Sequence, residues 1–146
     1  MLNINKLKSL ATGLEEITDT ERQVRLADGY DAVIEVISSL SQVRFPVLVL
    51  EDRTSGVLTC IPGGMDTYTL ALWVMCLAGR DDSKAQTYNK ALSMIKRLIG
   101  LMLEQPAGLE GLDLSHMEYN KRSGGPNCYG YELLLTFNET IALSND

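Results

Sequence analysis

Met65-Asp66-Thr67-Tyr68-Thr69-Leu70-Ala71-Leu72-Trp73-Val74-Met75-Cys76-Leu77-Ala78 is the stretch on which the fold turns. Successive side chains of a strand point to opposite faces of the sheet. Leu70, Leu72, Val74 and Cys76 therefore share one face, and Ala71, Trp73, Met75 and Leu77 the other. Both sets are apolar, so the strand needs cover on both sides and belongs in the middle of a sheet. Upstream, Phe45-Pro46 opens a second β-rich run, Val47-Leu48-Val49-Leu50. Asp52 to Gly56 has the composition of a turn, and Val57 to Ile61 that of a short returning strand. Pro62-Gly63-Gly64 breaks the chain before Met65.

Working outward, Leu7, Leu10, Leu14 and Ile17 recur at helical steps, with Gly13 weakening that helix by about 1 kcal/mol relative to alanine. Thr18 to Asp28 fits a loop, a helix end or a short edge strand. Tyr30, Val33, Ile34, Ile37 and Leu40 give a second helix, with Asp28 as its expected N-cap. It should stop near Ser41, because Pro46 disfavours helical geometry at Phe45. After the loop Gly79 to Ser83, the stripe Tyr88, Ala91, Leu92, Ile95, Leu98, Ile99 and Met102 predicts a long helix from about Ser83 to Leu103. Strands are expected at His116 to Lys121 and Tyr129 to Thr140, with a turn at Arg122 to Asn127. Grouped strands and helices of this kind indicate an α+β fold. The expectation is a mostly antiparallel sheet of four to five strands, with the long helix and the N-terminal helices packed on one face. The length suits one domain spanning 1–146, with 1–27 as a peripheral N-terminal segment.

The net charge is −6, from 19 acidic and 13 basic residues, and the basic residues come in separate pairs such as Lys96/Arg97. Binding to nucleic acid draws on a basic surface that displaces counterions, so no nucleic-acid partner is expected. The longest apolar run, Leu70 to Ala78, is far shorter than the roughly 20 residues of a membrane-spanning helix. The N-terminus lacks the apolar core of a signal peptide, so neither membrane nor export is expected. Cys60, Cys76 and Cys128 are odd in number and lack CxxC spacing, which points to reduced thiols in a cytoplasmic chain.

Catalytic equipment is sparse. His116 is the single histidine. It could form a dyad with Ser115, Cys60 or Cys128, or be a surface residue. Neither Pro62-Gly63-Gly64 nor Ser123-Gly124-Gly125-Pro126 has the strand before and helix after that a phosphate cradle needs. The acidic pairs Glu51/Asp52 and Asp81/Asp82 suit solvated turns better than a metal site, which needs further converging ligands. No enzyme activity, cofactor or metal is expected. The candidate assembly loops hold Asp52, Arg53, Gly63, Gly64, Arg122, Gly124, Gly125 and Asn127.

One pattern goes further. A helix leads into Phe45-Pro46-Val47-Leu48-Val49-Leu50. A long strand then ends Ala78-Gly79-Arg80-Asp81-Asp82, a helix carries Tyr88-Asn89-Lys90-Ala91, and the last strand opens Tyr129-Gly130-Tyr131-Glu132. Over about Asp28 to Thr140 this order resembles the tail-terminator and tail-completion proteins of long-tailed bacteriophages and prophages. The resemblance implies a structural subunit without catalytic residues. It would assemble with itself into a ring, usually a hexamer, and meet other tail or neck proteins. Its places would be the bacterial cytoplasm during assembly and the virion tail afterwards. A small cytosolic enzyme or ligand-binding domain, with its site between helix and sheet, is the alternative.

Overall fold

The computed structural model describes residues 2–39, 42–60 and 63–141, without side chains at 53 and 54. Its elements run α1 (Ile4–Ala11), α2 (Thr20–Gln23), β1 (Val24–Ala27), α3 (Tyr30–Ser38), β2 (Val47–Thr59), β3 (Met65–Leu77), α4 (Lys84–Glu104), β4 (Tyr119–Ser123) and β5 (Cys128–Thr140). The expected helix stop near Ser41, together with Leu40, Ile61 and Pro62, lies outside the described residues.

The strands form one five-stranded sheet in the order β1-β2-β3-β5-β4. β1 runs parallel to β2, and every other pairing is antiparallel. The fold is α+β. The doubly apolar β3 sits at the centre, paired along its whole length with β5 and along most of it with β2.

Each face of β3 has its own core. Leu70, Leu72, Val74 and Cys76 pack with α1 and α4, through Leu7, Leu10, Ala91, Ile95 and Leu98 among others. Ala71, Trp73 and Met75 pack with Val33 and Ile37 of α3. Of the N-terminal helices expected on one face with α4, α1 lies there, whereas α3 covers the opposite face. Helical spacing shows that a helix is amphipathic but not which side of a two-faced sheet it covers.

The N-terminal segment is not peripheral, contrary to expectation. Leu2, Leu7, Leu10, Ala11, Leu14, Ile17 and Val24 are all buried, and β1 adds an edge strand to the sheet. The N-cap of α3 is Gly29, with no side-chain cap, rather than Asp28. By contrast, α4 begins as read. Ser83 caps it and Gln86 returns the bond to the Ser83 N–H, a reciprocal capping box.

The expected turn at Asp52–Gly56 does not exist, and β2 continues through it to Thr59. Glu51 pairs with Ala71 and Ser55 with Thr69, so four steps on β2 face two on β3. The surplus residues are taken up as a bulge, an irregularity a strand tolerates where its partner is long and regular. Beyond the bulge, Ser55–Thr59 and the paired parts of β3 and β5 project as a three-stranded arm past the end of β1.

Glycine matters at Gly130, in the middle of the Tyr129-Gly130-Tyr131 opening of β5. A Cβ there would lie 1.9 Å from the Val74 carbonyl oxygen and 2.9 Å from Met75 Cα. β3 and β5 approach so closely at this point that only glycine fits. No described helix is long and apolar enough to cross a membrane.

Candidate functional site

Three surface features stand out: a cleft, an arm with two exposed apolar side chains and an apolar groove. The cleft, about 820 Å³, opens between the N-terminal half of α4, the end of β3 and the segment entering β2. Gln86, Asn89, Lys90, Ser93 and Arg97 recur at three- and four-residue steps, so they form one polar stripe of α4 along it. Phe45, Pro46, Cys76 and Leu77 supply apolar walls. The Phe45–Pro46 peptide bond is cis.

Two ion pairs bracket the stripe. Arg97 makes a two-pronged contact with Glu16, Nη1 to Oε1 at 2.8 Å and Nη2 to Oε2. The Arg97 guanidinium holds the Glu16 carboxyl below the ordinary carboxylate range, and Glu16 in turn raises Arg97. Lys90 donates to Asp82 at 3.1 Å, and Asp82 also accepts the Gly79 N–H at 2.8 Å. Asp82 is lowered chiefly by that backbone N–H and then by Lys90. At the floor, burial pushes the Cys76 thiol up to about 11. A neutral, buried thiol is a poor nucleophile.

Gln23 holds the cleft together from below. It is fully buried. Its Oε1 accepts the N–H groups of Thr18 and Asp19 at 2.8 and 2.7 Å. Its Nε2 donates to the carbonyls of Glu16 and Pro46 at 2.9 and 3.1 Å. One side chain therefore ties the Glu16 wall to the Pro46 wall, with all four of its side-chain bonds made.

The arm presents Val57, 64 % exposed, and Leu58, 66 % exposed, on its two faces. The groove, about 220 Å³, lies diagonally across the sheet between α4 and the segment leading into β4. It is lined by Leu92, Ile99, Leu103, Leu114, Met117 and Tyr119, with Lys96 at its rim. Leu103 is 56 % and Leu114 51 % exposed.

The loop residues singled out in the sequence do not converge. Asp52 and Arg53 lie within β2 at the bulge, not in a turn. Gly63 and Gly64, with φ of 85° and 74°, sit between β2 and β3 at the tip of the arm. Gly124, Gly125 and Asn127 form the β4–β5 turn at the other end of β3, because Met65 pairs with Thr140 and Leu77 is opposite Cys128. Arg122 belongs to β4 and turns inward. Its Nη2 meets Glu132 at 3.1 Å, and its guanidinium carbon lies 5.8 Å from the Trp73 ring centroid.

Ser115 lies 3.2 Å from His116 Nδ1, but its hydroxyl donates to Asp113 at 2.6 Å in an exposed local turn. The carboxylate thus engages the serine rather than orienting the imidazole, unlike a catalytic triad. Glu51 is buried against Trp73, and Asp82 is engaged by Gly79 and Lys90. No cluster of three or more metal-ligating side chains forms among the described residues. The cleft, the groove and Gln23 escaped the sequence reading. The polar stripe of α4 was the one available signal, and it reads equally well as a solvated face.

No protein-family model matches the chain, and no curated protein matches it.

Proposed function

We propose that the chain is a structural assembly subunit of the tail-terminator or tail-completion kind that its element order resembles. It acts through contacts with copies of itself in a ring and with other tail or neck proteins, in the bacterial cytoplasm and then in the virion tail. The observation that carries this reading is the presence of exposed apolar side chains at two separate places, Leu58 and Val57 on opposite faces of the arm, and the groove at Leu103, Leu114 and Tyr119. A head-to-tail contact that closes into a ring needs two different patches on each subunit. Exposed apolar patches with polar rims mark sites of association.

The test adds the protein to tail tubes growing from the tube protein of its own genome and follows them by electron microscopy. A ring on one end, with growth stopped, supports the proposal. Tubes that lengthen unchanged and carry no added density overturn it.

The cleft favours a second reading, a small-ligand-binding domain or enzyme with its site between helix and sheet. About 820 Å³ is within the range of small-molecule sites, and its walls combine apolar surface with polar groups. Gene neighbours separate the two readings. Tail-tube, portal and tape-measure genes favour the first, and a metabolic operon the second.

A further inference from the structure

We infer that the apolar groove beside β4 receives Leu58 from the arm of a second copy of this chain. The inference rests on the assembly reading and names the contact through which copies meet. Size is the first argument. The groove holds about 220 Å³, whereas a cavity of about 150 Å³ already accepts a benzene-sized group, so one or two aliphatic side chains fit. Leu58 is a projecting side chain of that size, and Thr54 to Gly64 carries no charged residue that would have to be buried with it.

Charge is the second argument. On the arm, Leu58 is opposite Asp66, and Asp66 is opposite Glu139, so carboxylates accompany the apolar residue on the same face. At the groove, Lys96 stands on the rim, and Lys121 lies two residues beyond Tyr119 on the same side of β4. Carboxylates beside the projection, of which Glu139 also accepts the Tyr68 hydroxyl, would meet Lys96 in the recess and Lys121 beside it over the Tyr88 ring. Such complementarity sets which surfaces pair and in what register.

Geometry is the third. Asp66 and Leu72 are six residues apart on β3, and Leu72 is opposite Leu133, the neighbour of Tyr119. Along the strands the arm is therefore about 20 Å from the Tyr119 end of the groove and about 13 Å from Leu114, which follows the Asp113–Thr136 bond, and about 14 Å across them. A subunit cannot fill its own groove. Projection and recess lie on different parts of one molecule, so filling one leaves the other open for the next copy.

Two exposed substitutions test this without touching the core. Leu58→Asp disables the projection and Leu114→Asp the recess. Each should weaken association by about 10-fold or more, because a charge would be buried where an aliphatic group belongs. Circular dichroism should show both folded. Sedimentation velocity, with and without tail tubes, then gives the size of the wild type, each variant and their mixture. The expected result is an assembling wild type, two monomeric variants, and an equimolar mixture that stops at a one-to-one dimer. The dimer forms because the mixture contains one intact projection and one intact recess. An assembling wild type with either variant assembling equally well overturns the inference but leaves the assembly reading standing. So does a mixture that stays monomeric beside an assembling wild type. A wild type that stays monomeric at every concentration, tubes present, overturns both.

Discussion

Trp73 donates its indole N–H to a carboxylate oxygen of Glu51 across 3.1 Å, and both side chains are buried on the α3 side of the sheet. Tyr30 leans on the same indole with ring centroids 5.6 Å apart. Glu51→Ala would leave the indole N–H buried and unpaired, at a cost of about 1–3 kcal/mol. Glu51→Gln keeps an acceptor in place and should lose less. Urea unfolding of the three proteins checks the order, and an alanine variant as stable as the wild type would show that the bond contributes nothing.

Ile95 is buried where α4 meets the sheet. Ile95→Ala should destabilise the protein by about 2–5 kcal/mol, the range for large-to-small changes in a packed core. A thermal midpoint that does not move would mean that α4 is not docked through this face.

Gly130 and Gly100 should respond to alanine with opposite signs. At Gly130 the new methyl would collide with the Val74 carbonyl, whereas at Gly100, within α4, nothing lies within 4 Å. Gly130→Ala should cost about 1–3 kcal/mol or more, because two strands must part. Gly100→Ala should stabilise by about 0.4–1 kcal/mol through the unfolded chain. Equal and small effects at both sites would refute the close approach of β3 and β5.

The Glu16–Arg97 pair makes a pH-dependent contribution. The folded-state pKa of Glu16 lies below its ordinary value, so the pair's stabilisation is complete above that ordinary value and is lost as pH falls through the folded one. The pair is partly exposed, so solvent screening limits it to about 0.2–1 kcal/mol. The stability gap between wild type and Glu16→Gln should be present at neutral pH and close in acid. A gap that widens on acidification would contradict the assignment.

The thiols should divide by accessibility. Cys60 is exposed, while Cys76 and Cys128 are buried and burial holds each at about 11. At pH of about 8, such a group is thiolate in only about one molecule in a thousand. Alkylation followed by mass spectrometry should modify one thiol in the native protein and three in denaturant. Rapid native labelling of all three would place the buried pair elsewhere.

The central strand and the long helix were legible because their signals are local. β3 is apolar on both faces, and α4 carries a cap, a stripe and a following proline. The bulge was not legible. Asp52, Ser55 and Gly56 have turn composition, and only the length of β3 opposite them decides that the strand goes on. Gln23 was equally opaque, because its position depends on a carbonyl at Pro46 that reaches it through tertiary folding. The cleft joins Glu16, Pro46, Cys76 and Arg97, which no spacing rule connects. The groove has the same character, since its walls come from α4 and from the chain before β4.

The bulge in β2 also bears on how the length of this strand can change. Four steps against two is a surplus of two residues, and because the ladder resumes with Ser55 opposite Thr69, inward and outward positions are again those that β3 dictates. Leu50 and Leu58 consequently point to the same side, one into the core and one out to solvent. Removing one residue between Glu51 and Ser55 would leave two residues opposite Leu70, an ordinary one-residue bulge, with Val57 still opposite Thr67 and Leu58 still opposite Asp66. Removing two would straighten the strand and leave every side chain facing as before. The bulge is thus a store of slack, from which β2 can lose one residue or two while the arm keeps its partners and its faces.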